Sequence, residues 1–569
     1  MFYEIIELGR LSKEKSIAAD LFTRDTNAIL IVIEFDDACN YIGCSLEHFD
    51  PNKKEKYLYM KKASNGPDFS PTAKVTEIKK TLKTKIIGWF KTYNGNDPLI
   101  KKLTKIINTK KESIEKDLEQ TFNQIDRKTK KAITIKIGGK YVGEIEGFRK
   151  YFEESYRERQ TSQKSKGEIR GEAICIGCGE KKVVSPLAAA NSFKFATVDK
   201  IGFTTHFNQS DSWKNIPLCQ DCGDSLTIGK NLLDKHLNFN MYGIAFYMIP
   251  QFILGISDKQ HISDLIEHIK KGSKDEKDIE TFICEEDHLN EILSEKDVLS
   301  FKYLFYIKKS ERMIILGVSD DVYPSWLNKI YKSREESSIS YSIFKEEFLK
   351  KIFGAKYSGN LKFHTLGAEF KEFFPLDSKT LGNHQKSYVD IINSILSRRT
   401  LPKKFIISAF VPVLRQKFTA ESNVKFISPT LDSIKILAFL RKLELLKGET
   451  MENEWEKKAC FFVGVLAAKL MAAQFAIRGS TPFVKKLHGL RINEKNLKDI
   501  FRETKAKLLE YDIYSYQEFE QMAAEALVKS KEGWKLSPDE ISYYFTCGLA
   551  LGKGFKNVED AKSILKEVF

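Results

Sequence analysis

Two short stretches of the 569-residue chain, Cys175-Ile176-Gly177-Cys178 and Cys219-Gln220-Asp221-Cys222, determine how its middle part folds. Each Cys-x-x-Cys turn directs two sulfurs toward one point, and two such turns supply four thiolates for one tetrahedral Zn²⁺. Glycines at 177, 179 and 223 permit the tight backbone that these turns need. Because four thiolates leave no open position for water, the pattern predicts a structural zinc ion rather than a catalytic one.

The spacing between the two Cys pairs limits the alternatives. The 40 intervening residues exceed the usual zinc-ribbon spacing, so we expect a small subdomain to fill the gap. Two alternatives to a zinc site remain open, namely unrelated thiols and a redox pair. His206 lies in the gap but has no His-x-Glu partner, so the sequence does not indicate a deaminase site. The other cysteines lie in largely apolar sequence and are predicted to be inert packing residues: Cys39, Cys44, Cys284, Cys460 and Cys547.

The sequence on the N-terminal side of this motif predicts a lobe of strands and helices. The β-branched run Ala28–Phe35 (AILIVIEF) predicts a buried strand. Apolar and basic residues alternate at helical spacing over 73–111. Gly138-Gly139 predicts the turn of a hairpin between strands at 132–137 and 141–145.

Three further segments are assigned from their composition. Tyr57–Met60 is predicted to be a short strand, and the polar stretch 153–171 is predicted to be a linker. The serine-rich stretch 333–342 is predicted to be a loop. Apolar runs at 301–307 and 313–318 predict a second hairpin.

From about residue 401 the apolar period becomes helical. Ala459–Ile477 is rich in alanine and contains Lys469 and Gln474, so it fits a buried helix better than a membrane span. Gly479 is a plausible helix stop, and Ser537-Pro538-Asp539-Glu540 has the residues of a helix start.

These patterns together predict an α+β fold. It has a mixed N-terminal domain with β-hairpins, a four-cysteine zinc-finger insertion and an α-helical bundle as C-terminal domain. The N-terminus lacks the basic-then-apolar plan of a signal peptide, so we expect a soluble cytoplasmic protein without membrane association. The predicted domains are 1–170, 171–235, 236–400 and 401–569.

Positive charge is concentrated near the N-terminus. The chain has 92 Lys and Arg against 77 Asp and Glu, and residues 51–110 contain 15 Lys but only four acidic residues. Clustered lysines with interleaved aromatic residues are typical of a surface that binds a phosphate backbone. The alternative is a solvated lysine-rich face without a ligand. The interleaved aromatic residues are Tyr57, Tyr59, Phe69, Trp89, Phe90 and Tyr93.

The sequence contains little that indicates catalysis. It has no Gly-rich phosphate loop, dinucleotide fingerprint or nucleophile elbow. Asp36-Asp37 and Asp320-Asp321 follow apolar strands, as the carboxylates of two-metal sites sometimes do. Turn carboxylates at strand ends are far more common, so the chain is predicted to be a binding protein rather than an enzyme.

A series of short motifs runs through the chain in one order, beginning in the lysine-rich region and continuing through the four-cysteine module into the helical third. In this order the chain resembles the zinc-finger-bearing Cas-eight-b group, the large subunits of type I-B CRISPR effector complexes (Cascade). The motifs are Tyr57-Leu58-Tyr59, Ser64-Asn65-Gly66-Pro67-Asp68, Ser70-Pro71-Thr72, Lys80-Thr81-Leu82, Gly88-Trp89-Phe90, Gly139-Lys140-Tyr141-Val142-Gly143-Glu144, Asp199-Lys200-Ile201-Gly202-Phe203, Trp213-Lys214-Asn215-Ile216-Pro217-Leu218, Asp321-Val322-Tyr323-Pro324-Ser325 and Gly479-Ser480-Thr481-Pro482-Phe483, with the four zinc cysteines among them.

The resemblance implies a non-catalytic subunit of an RNA-guided surveillance complex. Such a subunit joins the crRNA-bound backbone and processing subunits and recognises the protospacer-adjacent motif (PAM) in double-stranded DNA. It aids unwinding, holds the displaced strand of the R-loop and docks a separate helicase–nuclease. Family members often carry a C-terminal domain like the Cascade small subunit, here 119 residues from Met451, which we expect can also be translated separately.

The residues expected to contact DNA come from four places: the turn near 61–65, the lysine-rich segment 73–111, the hairpin tip and the helical third. The turn at Ser64-Asn65 and the hairpin tip at Lys140 are candidates for PAM contact, since an amide can read a base edge while a lysine mainly holds phosphate. Basic residues on the helical third are candidates to follow the displaced strand, with a solvated helix end as the alternative. The complete set is Lys61, Lys62, Ser64, Asn65, Lys74, Lys79, Lys80, Lys83, Lys85, Lys140, Lys485, Lys486 and Arg491.

Two other functions stay open at the level of sequence. The first is a zinc-containing nucleic-acid scaffold outside CRISPR, such as a transcription or repair factor. The second is a metal-dependent nuclease that uses the carboxylates of Asp36 or Asp320.

Overall fold

A computed structural model shows a protein of mixed helices and strands, which confirms the predicted α+β class. The described part forms two compact units, one built mainly from Met1–Asn238 and the other mainly from Ile315–Phe569, and the strands between them are divided between the two. The division into four predicted domains stays a prediction. The structure describes residues 1–568 except 13–15, 20, 23–26, 52, 63–65, 76, 164–166, 197, 199, 242–243, 253–298, 310–311, 364–365, 375–382, 419–424 and 448–453.

The first unit is organised around the predicted strand, which runs from Ile29 to Phe35. It pairs antiparallel with Tyr41–His48 on one side and parallel with Lys131–Ile137 on the other. Ile31 and Ile33 face one apolar cluster, whereas Leu30 and Val32 face a second one. A strand buried on both faces needs a continuous apolar run, which explains the AILIVIEF sequence.

One edge of this sheet is the eight-residue strand Tyr41–His48, whereas the strands beyond Lys131–Ile137 are short. Ala73–Lys74 pairs antiparallel with Lys131–Ile137, and so does Lys140–Tyr141. The turn at Gly138-Gly139 is confirmed, and both glycines have the positive φ values, 54° and 76°, that a two-residue hairpin turn requires. The second strand ends at Tyr141, where a 3₁₀ turn begins, so the hairpin is shorter than predicted.

Helices cover one face of this sheet. The predicted helical segment 73–111 begins with the short strand and then forms Ile78–Thr81, a π-helical turn Leu82–Ile87, Gly88–Thr92 and Pro98–Thr109. Asp97 begins the last of these, since its carboxylate accepts a hydrogen bond from Ile100 N at 3.1 Å.

Three assignments made from composition are wrong. Tyr57 ends the short helix Lys54–Tyr57 rather than starting a strand, and Leu58 takes a left-handed conformation (φ 46°). About half of 153–171, residues 153–161, belongs to the helix Glu146–Thr161, because Phe148, Phe152 and Tyr156 recur at helical spacing and are buried.

The serine-rich stretch 333–342 is likewise mostly helical, within Pro324–Ile339. Ser337 and Ser338 both donate their hydroxyls to a carbonyl of the helix itself. Ser337 Oγ donates to Arg334 O at 2.8 Å, and Ser337 is buried.

The second unit is built around the helix Glu454–Arg478, which confirms the predicted buried helix. Its length and composition suffice to cross a membrane, but 72% of the qualifying window is buried inside the protein, as in the core helix of a soluble protein. Gly479 (φ 66°) follows its end, as predicted. Ser537 begins the helix Pro538–Leu551 with a capping box, in which Glu540 N donates to Ser537 Oγ at 3.3 Å.

The remaining elements complete the two units. The predicted hairpin after residue 300 is confirmed, as Leu299–Lys309 and Arg312–Val322 within a four-stranded sheet with Asn238–Met241 and Ile244–Phe252. The other helices are Phe2–Leu11, Lys111–Asn123, Leu187–Ser192, Gln220–His236, Glu346–Phe353, Leu366–Phe373, Asn383–Leu396, Lys403–Lys417, Ile427–Lys442, Glu494–Glu510, Gln517–Lys529 and Val558–Val568. Three two-stranded sheets pair Ser162–Gln163 with Gly167–Glu168, Gly171–Ile174 with Lys181–Val184, and Leu401–Pro402 with Leu446–Lys447.

Candidate metal centre and nucleic-acid surface

The four predicted cysteines come together in the first unit. The Sγ atoms of Cys175, Cys178, Cys219 and Cys222 all lie within 4.8 Å of one another. Cys178 is half-buried and the other three are buried. Four thiolates around one tetrahedral zinc ion have Zn–S bonds of about 2.3 Å, and the observed cluster has the compactness that this geometry needs. The residues therefore fit a structural metal ion.

The first Cys pair is held by a hairpin. Gly171–Ile174 pairs with Lys181–Val184, and Cys175 lies directly after the first strand. Gly179 N donates to Cys175 O at 2.8 Å, which closes the knuckle, and Gly179 has φ 72°. No side chain fits at Gly177, where a Cβ would lie 2.8 Å from Cys222 Sγ. These two glycines thus have the structural roles that the motif predicts.

The second Cys pair begins a helix. Cys219 is the N-cap of Gln220–His236, and Cys222 lies in its first turn. The two knuckles are joined through the backbone, since Ile176 N donates to Pro217 O at 3.0 Å and Ser185 N donates to Leu218 O at 2.8 Å.

Backbone hydrogen bonds prepare the cluster for a cation. Cys175 Sγ accepts from Cys219 N at 3.2 Å and from Gly177 N at 3.4 Å. Burial alone would raise the pKa of the Cys175 thiol, but these backbone donors outweigh burial and lower the pKa to about 7. Burial and hydrogen bonds to the neighbouring thiols raise the pKa of Cys222. Because four thiolates cannot share this space alone, a divalent cation is the natural counter-charge.

The segment between the knuckles forms the expected small subdomain. It contains the helix Leu187–Ser192 and several 3₁₀ turns. A small apolar cluster of Ile169, Leu187 and Val198 supports it. His206 is exposed and is not one of the residues of the Cys cluster.

Sequence reasoning missed Arg10, which reaches the cluster from the helix Phe2–Leu11. Arg10 Nη2 donates to Cys222 Sγ at 3.0 Å and to Gly177 O at 3.1 Å, and its guanidinium also pairs with Glu7. Four thiolates around a divalent ion carry two excess negative charges, and Arg10 offsets part of this charge. A basic residue in the last turn of an N-terminal helix was the only signal available in the sequence.

Two glycines allow the helix Phe2–Leu11 to approach the four-cysteine module. At Gly9 a Cβ would overlap Ser225 O, and at Gly229 a Cβ would overlap Ile5 O. The helices Phe2–Leu11 and Gln220–His236 therefore pack backbone against backbone. This close crossing places Arg10 at Cys222.

Replacing Arg10 by glutamine is expected to weaken zinc binding by about tenfold or more, the usual effect of losing a partner of a metal ligand. Competition with a chromophoric chelator measures the affinity. Glu7→Gln is the matched control, because it removes a partner of Arg10 but leaves the donor to Cys222 in place. An Arg10→Gln protein with the affinity of the wild type would contradict the role assigned to Arg10.

The predicted DNA-contacting residues fall into two groups. Several have engaged side chains: Lys79 pairs with Glu115 and Glu119, and Lys486 pairs with Glu503. Ser64 and Asn65 lie outside the described residues. The others are exposed and form no ion pair within the described part of the chain: Lys61, Lys80, Lys83, Lys140, Lys485 and Arg491.

Three of the engaged lysines serve the fold. Lys85 Nζ lies 3.0 Å from the buried carboxylate of Asp68, and burial raises the pKa of Asp68 despite this partner. Lys62 Nζ lies over the ring of Phe69 at 5.0 Å from its centroid. Lys74 lies over Tyr59 at 5.3 Å and over Phe22 at 5.6 Å. That these three lysines contact DNA stays a prediction, and each of them also has a structural role.

Five of the six interleaved aromatic residues are buried and do not line a surface, while Tyr93 is half-buried. Tyr57, Phe69, Trp89 and Phe90 are 0–4% exposed and belong to the cores of the first unit. Trp89 Nε1 donates to Phe69 O at 3.0 Å. The interpretation that they share a phosphate-binding face with the lysines is therefore wrong.

The lysines themselves do reach solvent on two neighbouring helical segments. Neither 78–92 nor Pro98–Thr109 contains an acidic residue. On the second segment Lys101, Lys102 and Lys105 are exposed. Their spacing at i, i+1 and i+4 is the signal that sequence reasoning did not single out.

Family models account for nearly all of this architecture. The model for the N-terminal domain of CRISPR-associated protein TM1802 matches residues 1–154, the central-domain model matches 172–322, and the C-terminal-domain model matches 362–454 and 447–563. The chain belongs to the CRISPR-associated TM1802 family. This confirms the resemblance to the large-subunit group. No curated protein matches the chain.

Membership of the TM1802 family places the two candidate sites in different family domains. The lysine-covered helices lie within the N-terminal match, and all four cysteines lie within the central match. The cysteine cluster therefore belongs to the part that defines the central TM1802 domain.

One carboxylate of each candidate pair in this TM1802 protein has a structural partner. Asp36 accepts hydrogen bonds from Asn40 N at 2.7 Å and from Asn40 Nδ2 at 2.9 Å, and Asp320 pairs with Lys302 at 3.1 Å. Among the described residues, the four cysteines are the only group of His, Cys, Asp and Glu side chains placed to hold a metal ion.

The remaining cysteine predictions are mostly confirmed. Cys39, Cys460 and Cys547 are buried, and Cys44 is half-buried beside Tyr41. Cys284 and Met451 lie outside the described residues.

Proposed function

We propose that this TM1802-family protein is the non-catalytic large subunit of a type I-B CRISPR RNA-guided surveillance complex in the prokaryotic cytoplasm. In this role it contacts the PAM in double-stranded DNA, aids duplex unwinding and stabilises the R-loop. It binds the crRNA-bound backbone and processing subunits and provides a docking surface for the separate helicase–nuclease.

The observation that carries this proposal is the set of exposed lysines on two helical segments of the first unit, 78–92 and Pro98–Thr109, that contain no acidic residue of their own. Lys80 and Lys83 on one helical segment, and Lys101, Lys102 and Lys105 on the next, expose ammonium groups. Exposed lysines of this kind neutralise phosphates without reading bases. In RNA-guided recognition, base pairing with the guide reads the sequence and the protein supplies charge and PAM contacts.

The four-cysteine module suits a supporting role in this scheme. A metal ion held by four thiolates has no open position for water or substrate, so it stabilises the fold and performs no chemistry. We infer that it fixes the frame that carries the lysine surface, since the module and the lysines belong to the same compact unit.

Replacing Lys61, Lys80 and Lys83 together by glutamine is expected to weaken duplex binding. The slope of log affinity against log salt should become shallower by about 0.9 for each lost phosphate contact. Fluorescence anisotropy with a labelled duplex over a series of salt concentrations measures the slope. Lys553→Gln with Lys556→Gln, two exposed lysines of the second unit, is the charge control. An unchanged slope in the triple variant would remove these lysines from the DNA path.

A further inference from the structure

A strongly cationic cavity lies in the first unit, outside the residues discussed so far. Its volume is about 420 Å³. Five basic and two acidic side chains line it, together with a proline and a glycine. The lining residues are Pro51, Lys53, Lys54, Glu55, Lys56, Gly143, Glu144, Arg149 and Lys235.

The walls of the cavity are held together by close backbone contact. At Gly143 a Cβ would overlap Glu55 O, so the helix Lys54–Tyr57 lies directly against the 3₁₀ turn Val142–Glu144. This turn follows the hairpin whose tip carries Lys140. Two of the lining residues, Gly143 and Glu144, therefore lie only a few positions after Lys140 along the chain.

Several charged groups in the cavity are fixed in place. Lys54 is 7% exposed. Lys56 Nζ lies over the ring of Tyr141, 4.5 Å from its centroid. Glu144 accepts a hydrogen bond from Tyr141 N at 2.8 Å, so one oxygen of its carboxylate is already engaged with the backbone. Two of the five cations, Lys54 and Lys56, are thus held in place, and the two acidic side chains of the lining offset only part of the positive charge.

A concave site with this excess of positive charge favours a compact anion. Phosphate oxygens suit the combination of one guanidinium, which can bind two oxygens in a fork, and several ammonium groups. Arg149 lines one edge of the cavity from the helix Glu146–Thr161 and is exposed, as is Lys53, whose ammonium lies at a loose 4.0 Å from Asp50. An apolar ligand would remove water from these charges without neutralising them.

We infer that this cavity binds a single phosphodiester group of a nucleic acid that passes Lys140. The choice of a nucleic acid rather than free phosphate as the ligand rests on the proposed function. The shared chemistry is the phosphate group, and the cavity adds a fixed anchoring point to the surface of exposed lysines.

The test uses Lys53→Gln combined with Arg149→Gln in the full chain. Both side chains are exposed, so the double variant should fold. Lys553→Gln with Lys556→Gln is the matched control for charge. One experiment measures duplex affinity against salt, and a second measures the melting temperature with inorganic phosphate against chloride at equal ionic strength.

We expect the salt slope of the Lys53/Arg149 variant to fall by about 0.9, the effect of one phosphate contact, while the control keeps the wild-type slope. Phosphate should raise the melting temperature of the wild type and the control more than that of the variant, which keeps only the general stabilisation by a kosmotropic salt. If the variant matches the control in both experiments, the inference is overturned. If phosphate stabilises the wild type through these residues but no duplex binds, the cavity is an anion site and the proposed function fails instead.

Discussion

Replacing Cys219 by serine is expected to abolish zinc binding and to unfold the four-cysteine module. Cys219 is 3% exposed, supplies one of the four thiols and begins the helix Gln220–His236. Serine keeps a similar size but provides a poor zinc ligand, and three thiolates remain without a complete coordination shell. Structural zinc contributes about 10–16 kcal/mol in zinc-finger peptides, so loss of the ion removes most of the free energy that holds such a module.

The effect should extend to the N-terminus of the chain. Helix Phe2–Leu11 packs against Gln220–His236 through Gly9 and Gly229, and Arg10 bonds to Cys222. Hydrogen exchange should therefore accelerate in both helices in the variant. Arg10→Gln, in contrast, weakens zinc binding while the four ligands stay in place.

Elemental analysis for zinc and hydrogen exchange measured by mass spectrometry check this expectation together. Cys44→Ser is the matched control, since Cys44 lies outside the cluster and contacts Tyr41. The control should retain one zinc ion per chain and the wild-type exchange of residues 2–11 and 220–236. A Cys219→Ser protein with full zinc content and unchanged exchange would falsify the structural role of the metal.

The ligands of this site could be predicted from sequence, but its partner Arg10 could not. Each Cys-x-x-Cys pair is a local pattern whose geometry follows from a few residues. Arg10 lies 212 residues from Cys222 and reaches it only because two glycines let two helices cross closely. That contact depends on tertiary packing, which no local pattern records.

Composition gave the wrong secondary structure for two segments in which the periodicity of buried residues indicated a helix. The stretch 153–171 is polar on average, yet Phe152 and Tyr156 continue the buried face that begins at Phe148. The serines of 333–342 have the composition of a loop, but Ser337 and Ser338 bond to the carbonyl of Arg334 inside a helix. In both segments a few buried positions outweigh many exposed polar ones.

The lysine-rich region shows the same limit at the level of function. Lysines interleaved with aromatic residues occur both on nucleic-acid surfaces and on amphipathic helices that bury their aromatic face. The structure has the second arrangement: Trp89 and Phe90 are buried while Lys80 and Lys83 are exposed. The charge distribution was therefore predictable, and the direction of the aromatic side chains was not.

Replacing Gly464 by leucine is expected to destabilise the second unit by about 3 kcal/mol or more. Gly464 lies in the middle of the helix Glu454–Arg478, where a Cβ would overlap Phe545 O of the helix Pro538–Leu551. At Gly548 on the opposite helix a Cβ would overlap Phe461 O. A side chain at either position must push two backbones apart, and backbone cannot yield as a flexible side chain can.

Ala476→Leu is the matched control, because Ala476 is exposed in the last turns of the same helix. Denaturant unfolding of the second unit, followed by circular dichroism, should shift its midpoint strongly for Gly464→Leu and little for Ala476→Leu. Zinc content should stay unchanged in both, since the cysteines belong to the first unit. Equal midpoints in the two variants would contradict the prediction, because they would show that the helices Glu454–Arg478 and Pro538–Leu551 can move apart without loss of stability.

The same substitution also tests the proposed contact with the displaced strand. Lys485 lies within the 3₁₀ segment Pro482–Leu490 and Arg491 follows it directly. This segment is attached to the helix Glu454–Arg478, because Phe483 N donates to Gln474 Oε1 at 3.1 Å. If these basic side chains bind single-stranded DNA, Gly464→Leu should weaken single-strand binding more than Ala476→Leu does. Binding of duplex through the lysines of the first unit should then remain, which separates the two surfaces experimentally.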